Sequence, residues 1–213
     1  MQYKVLFVDW DGTLSNSRFW SRWRNNPDDK TRYDLIQKVL FTEDKGRHLV
    51  KDWMRGLRGY PDILHYVSDA TGIPYDNLVS ELRYSAENME YIDADSITII
   101  QKLRNAGIKV VIATDNMDTF RNWTIPRLKL ETLFDGILVS DTNRALKTDL
   151  HNNGTSTFFA RYLSQSGVRP EETVLIDDNL DTKIVEQLGM NFLHVNESRP
   201  LMIHLSHILK NMN

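Results

Sequence analysis

The 213-residue chain exceeds the usual size of one minimal domain, so a core with a modest insertion fits its length better than a single small fold. Hydrophobic residues make up 41% and charged residues 26%, a soluble globular balance that argues against a disordered or membrane-spanning chain. A formal net charge of -3 argues against a strongly basic nucleic-acid surface, and the lack of cysteine excludes disulfides, thiolate zinc sites and cysteine nucleophiles.

In chain order, the first element is an apolar strand over Lys4 to Val8. It lacks the flanks of a secretion signal, and no segment approaches the roughly 20 apolar residues needed to cross a bilayer, so a cytoplasmic protein without membrane contact is expected. Residues 15–92 show helical patterns without a convincing strand. Helices are expected over Thr31–Leu40, Asp44–Arg55, Pro61–Ala70 and Tyr75–Met89, with turns at Gly59-Tyr60-Pro61 and Gly72-Ile73-Pro74. A helix over Asp95–Ala106, with Ile99, Ile100 and Leu103 on one face, stops at Gly107 before a strand over Lys109–Ala113.

Further strands are predicted at Gly136–Val139 and Thr173–Ile176, with a weaker one at Asn191–Val195. Between the first two of these, Thr155 or Ser156 begins a helix carrying Phe158, Phe159, Tyr162 and Leu163, closed near Gly167. The apolar runs lack alternation, as strands buried on both faces do. The expected fold is α/β: a doubly wound parallel sheet, Rossmann-like, formed by residues 1–14 and 93–213, with a mostly helical insertion over 15–92.

Chemistry concentrates where strands end. Asp9 and Asp11 follow the first strand two residues apart, a spacing that sends both carboxylates to one side of an extended chain. Gly12 permits a sharp turn, and Thr13 offers local hydrogen bonds. A solvated acidic turn is the plain alternative for this motif taken alone. A second acidic set, Asp177-Asp178-Asn179, ends another apolar strand. Clustered carboxylates repel unless a cation joins them, and an all-oxygen set suits Mg2+. Asp181 fits better as a helix-start residue. Thr114 ends the second strand, where its hydroxyl and the following amides suit a phosphoryl oxygen, and Lys147 follows the third strand as a neutralising cation.

This ordered set resembles the haloacid dehalogenase-like hydrolase superfamily, in particular its phosphatases with a helical (C1-type) cap between the first and second motifs. Asp9-Trp10-Asp11-Gly12-Thr13 resembles the first motif, Thr114 the second, Lys147 the third and Asp177-Asp178 the fourth. The resemblance spans about residues 3–195 and implies an Mg2+-dependent phosphatase acting on a small phosphorylated metabolite. By it, Asp9 is the nucleophile that forms an aspartyl-phosphate and Asp11 the general acid and base. It implies Thr114 and Lys147 as phosphate-binding residues. Mg2+ would be held by the Asp9 carboxylate, the Asp11 carbonyl, Asp178 and, directly or through water, Asp177. Two positions depart from the pattern: Asp115 stands where an asparagine or small residue is frequent, and Lys147 lacks a following proline and lies on a long stretch before Asp177.

Arg18, Phe19, Trp20, Arg22, Trp23 and Arg24 open the insertion, where aromatic packing and solvated arginines are the ordinary roles and substrate contact the sharper one. The same holds for Arg47, Arg55 and Arg58. The histidines, including His194, His204 and His207, are assigned to packing or surface roles. A phosphomutase using the same intermediate and a noncatalytic phosphate- or partner-binding protein are the rival readings; oligomeric state is not specified by these patterns.

Overall fold

A computed structural model describes residues 3–212. Its sheet has five parallel strands in the order β3-β2-β1-β4-β5: β1 (Val5–Val8), β2 (Lys109–Thr114), β3 (Gly136–Val139), β4 (Thr173–Asp177) and β5 (Asn191–His194). All five predicted apolar runs become strands. Parallel pairing places every carboxyl end on one edge of the sheet, and the order reverses at β1, which puts a crevice above that strand.

Alternate residues of the central strands serve opposite cores. Leu6, Val8, Val110, Ile112, Val174 and Ile176 face Ile100 and Leu103 of a helix at Asp95–Asn105 and Leu205 and Ile208 of the C-terminal helix at Leu201–Lys210. Val5, Phe7, Val111, Ala113 and Leu175 face Phe158, Phe159 and a helix at Thr182–Leu188. This two-sided burial explains the absence of polar alternation in the sequence.

Residues 15–92, between β1 and β2, carry five α-helices: α1 (Ser21–Asn25), α2 (Lys30–Gln37), α3 (Asp44–Met54), α4 (Tyr60–Thr71) and α5 (Tyr75–Glu87). They enclose a separate apolar centre built on Trp20, Trp53, Ile63, Leu64, Leu78 and Leu82. The chain enters and leaves this helical insertion side by side: Ile92 N–H donates to the Leu14 carbonyl at 2.9 Å, and Glu90 N–H to Ser17 Oγ at 2.9 Å.

Three local differences from the sequence expectations have physical causes. The helix expected to reach Leu40 ends its α-helical part at Gln37 and widens into a π-helical turn, Lys38–Thr42. The backbone of α3 packs on that turn at Gly46, where a Cβ would overlap the Val39 carbonyl. The helix expected from Ser156 starts only at Ala160, because Ser156 Oγ closes the preceding turn by accepting from Phe159 N–H at 2.9 Å. Residues 120–133, given no element from sequence, form short helical turns, with Pro126 in the first turn of Ile125–Leu128 and a break at Lys129 in the left-handed region at φ 53°.

Phe7 is fully buried at the centre of the sheet and meets the Phe159 and Tyr162 rings at centroid distances of 4.9 and 5.3 Å. Phe7→Ala is expected to cost about 3–5 kcal/mol, read as a lower denaturant midpoint with an unchanged slope.

Candidate active site

Strand register builds the centre of the site. Val8 pairs with Ile176, so the residues one step further, Asp9 and Asp177, emerge side by side at the sheet edge. Asp9 N–H donates to the Ile176 carbonyl at 2.9 Å, which fixes this alignment. On the other side Val8 pairs with Ile112, which brings Thr114 to the same edge. The Asp9, Asp177 and Asp178 carboxylates offer oxygens within 4.8 Å of one another, Asp9 and Asp177 buried and Asp178 half-buried. Such an oxygen set fits a hard divalent cation.

Lys147 reaches into this cluster, almost fully buried. Its Nζ lies 2.9 Å from Asp9 Oδ1 and 2.5 Å from Asp177 Oδ2. Burial pushes the Asp9 carboxyl up to about 7; the Lys147 charge opposes that shift and Asp177 adds to it. Burial by itself lowers the Lys147 ammonium, but Asp9, Asp177 and Asp115 more than offset it, and Lys147 stays protonated well above its ordinary range. Burial, then Asp177, raise Asp178. One ammonium facing this many carboxylates leaves net negative charge, a second reason that a cation fits here.

The turn after β1 is shaped around Asp178. Gly12 has φ 79°, and a Cβ there would overlap the Asp178 carboxylate. Only glycine meets both demands without strain. The Asp11 side chain is exposed and pairs with the Arg18 guanidinium. Thr114 Oγ1 and Thr13 Oγ1 are buried and have no hydrogen-bond partner among the described residues. Buried hydroxyls are normally satisfied, so these two mark places where an acceptor belongs. A cavity of about 600 Å³ opens beside Gly12, Arg18 and Asp178, with Ser96, Asn196 and Leu201 on its far walls.

The structure thus brings Asp9, Lys147, Asp177 and Asp178 into contact, with Asp11 and Thr114 on the same edge. Asp181 caps the helix at Thr182–Leu188, its Oδ1 accepting from Lys183 N–H at 2.8 Å. Asp115 stands outside that three-carboxylate set; its Oδ1 accepts from Lys147 N–H at 2.9 Å. Trp20 and Trp23 are core residues of the insertion, Phe19 is half-buried, Arg24 is exposed, and Arg22 pairs with buried Glu81 at 2.6 Å. Arg47 and Arg58 pair with Asp44 and Asp52 within the insertion.

Two supporting features escaped sequence reasoning. The His194 ring nitrogen Nε2 sits 2.8 Å from the Asp178 carbonyl, and His204 Nε2 sits 3.0 Å from the His194 carbonyl, a chain that braces the backbone behind Asp178. Ser140 Oγ accepts from Asn116 N–H at 2.9 Å and donates to its carbonyl at 3.0 Å, tying the loops after β2 and β3. Neither has a sequence signature, because each depends on a crossing between distant strands.

Among solved structures, a predicted hydrolase of the same fold from Porphyromonas gingivalis matches with a TM-score of 0.72 at 18% identity, covering 99% of each chain. An L-2-haloacid dehalogenase from Xanthobacter autotrophicus matches at 0.63 and 17% identity, over 93% of this chain and 80% of that one. An enzyme from Bacteroides thetaiotaomicron, solved with magnesium and inorganic phosphate, matches at 0.62 and 16% identity, over 91% of this chain and 94% of that one. No curated protein matches by sequence. Among the described residues no helix is long and apolar enough to cross a membrane. The family model for haloacid dehalogenase-like hydrolases matches residues 3–184, and with the strand-end carboxylates and lysine in place the chain belongs to that family.

Proposed function

We propose that the chain is a phosphatase that hydrolyses a small phosphate monoester through an aspartyl-phosphate on Asp9. The observation that carries this reading is the buried Lys147 ammonium set between Asp9 and Asp177, beside Asp178. The magnesium- and phosphate-bound Bacteroides neighbour is consistent with it. Residues 15–92 act as a helical cap on the core formed by 1–14 and 93–213, with the two crossing segments near Leu14 and Ile92 as the joint.

The Asp9 carboxylate attacks phosphorus, the bond from phosphorus to the alcohol oxygen breaks, and Asp11 gives that oxygen a proton. Burial beside the surrounding loops raises the Asp11 carboxyl, and the Arg18 charge opposes that shift. Asp11 then takes a proton from the water that attacks phosphorus, the bond from phosphorus to the Asp9 oxygen breaks, and phosphate leaves with the Asp9 carboxylate restored. Lys147 and the unpartnered Thr114 hydroxyl face the phosphoryl oxygens, where negative charge is spread in the transition state. Asp9, Asp178, the Asp11 carbonyl and Asp177, directly or through water, would hold Mg2+, which when bound supplies positive charge against the phosphoryl oxygens. The 600 Å³ cavity beside Asp178 admits a small leaving group.

The dehalogenase neighbour favours a second reading, displacement of halide by Asp9. Asp11 and the paired carboxylates Asp177 and Asp178 oppose it, since a halide needs no proton on leaving.

With Mg2+, the protein is expected to release phosphate from a panel of phosphate monoesters, to lose that activity in EDTA, and to lose on the order of 10³-fold or more in Asp9→Asn. Chloride release from 2-chloropropionate with no phosphate release would instead support the dehalogenase; isomerised sugar phosphate without free phosphate would point to a mutase. Asp11→Asn should slow alkyl phosphates by about 10²–10⁴-fold, and p-nitrophenyl phosphate much less because its leaving group needs no proton. Mg2+ at about 100 times its dissociation constant should raise Tm by roughly 5–11 °C, and Asp178→Asn should lose most of that rise, measured by calorimetry.

A further inference from the structure

Lys147 lies on an irregular loop whose described pairing between 146 and 158 is one bridge, Leu150 with Ser156. A lysine has a flexible four-carbon stem, so the position of its ammonium depends on how its main chain is held. Two carboxylates hold it. Asp115, from the loop after β2, accepts from Lys147 N–H at 2.9 Å. Asp149 Oδ2 accepts from Leu146 N–H at 2.8 Å and closes the turn that contains Lys147.

The second of these carboxylates is gripped from outside the core. Arg55, which ends α3 of the helical insertion, donates from Nε to Asp149 Oδ2 at 2.8 Å and from Nη2 to Asp149 Oδ1 at 2.7 Å. Fork-on-carboxylate geometry is the strong form of an ion pair, and the side chains of both partners are largely covered, at 27% and 28% exposure. The neighbouring Gly56 carbonyl accepts from Arg144 at the start of the same loop region. The insertion therefore touches the lysine loop on both sides of Ala145.

We propose that Arg55 is a positioning residue that couples the seating of the helical insertion on the core to the placement of Lys147 between Asp9 and Asp177. Its catalytic meaning rests on the phosphoryl-transfer role proposed for Lys147. Lys147 is fully placed only while the insertion sits where Arg55 reaches Asp149, so a displaced insertion leaves the cluster without its fixed ammonium. A separate contact keeps the same turn of the insertion docked: Trp53 Nε1 donates to Asp118 Oδ1 at 2.6 Å, and Tyr60 N–H to Asp118 Oδ2 at 3.0 Å. Removing Arg55 thus releases the lysine loop without undocking the insertion.

The test is reductive methylation of the folded, full-length protein, with each lysine followed by peptide mass spectrometry. Lys147, 5% exposed, should label slowly in the wild type. Arg55→Ala should speed its labelling by about tenfold or more while exposed Lys109 keeps its rate. Asp149→Asn, which can keep the bond to Leu146 but loses the charge, should do the same; Arg55→Lys should recover part of the protection. Arg58→Ala, on the same turn but paired with Asp52, should leave Lys147 protected. Unchanged protection in folded Arg55→Ala, equal labelling in Arg58→Ala, or a rise shared by all lysines would overturn the coupling. In the active enzyme, kcat for phosphate release should fall in Arg55→Ala and recover in Arg55→Lys. Labelling needs no turnover, so a wild type without phosphatase activity would sink the catalytic reading and still leave the coupling decided.

Discussion

The constraint on which the structure turns is the gathering of carboxylates at the ends of β1 and β4. Parallel strands in register force Asp9 and Asp177 together, and their mutual repulsion in a buried setting has to be met by positive charge. Lys147 meets part of it from a third loop. Much of the surrounding architecture serves that meeting: Gly12 makes room for Asp178, His194 braces the Asp178 backbone, and Asp115 holds the lysine main chain. Buried pairs of this kind are weak sources of stability but strict specifiers of geometry, since removing either partner strands the other.

The helical insertion has its own apolar centre, yet it is tied into the site at several points. Arg18 at its entry pairs with Asp11, Asp118 receives Trp53 and Tyr60, and Asp149 receives Arg55. These contacts fall on the loops after β1, β2 and β3, which carry Asp11 and Lys147 and follow directly on Thr114. A part of the chain that contributes no residue to the carboxylate cluster therefore bears on how each loop is held. Among its arginines, Arg22, Arg47 and Arg58 pair within the insertion, while Arg18 and Arg55 cross to the core.

The family resemblance and the structural neighbours agree on the scaffold, and the scaffold alone does not choose the reaction, because one fold accommodates both dehalogenase and phosphate-binding relatives. What separates the readings is side-chain chemistry. Asp11 can supply a proton that a halide leaving group does not need, and Asp9, Asp177 and Asp178 offer an oxygen set that could hold a divalent cation. The unpartnered Thr114 hydroxyl adds a donor aimed at no protein acceptor.

The amino-acid sequence by itself determined the five strands, because β-branched runs without polar alternation have few places to go other than a doubly covered parallel sheet. It also placed Asp9, Asp11, Thr114 and Asp177-Asp178 at strand ends, since a motif contiguous with a strand inherits that strand's position. Lys147 was legible only through its order along the chain: no local pattern distinguishes it from a solvated lysine, and burial between Asp9 and Asp177 is a property of three distant loops meeting. Asp115, Asp149, Arg55 and His194 likewise acquired their roles from crossings between separate elements. Pairing across a fold leaves no periodicity in a single sequence, so those roles were decided by the tertiary structure alone.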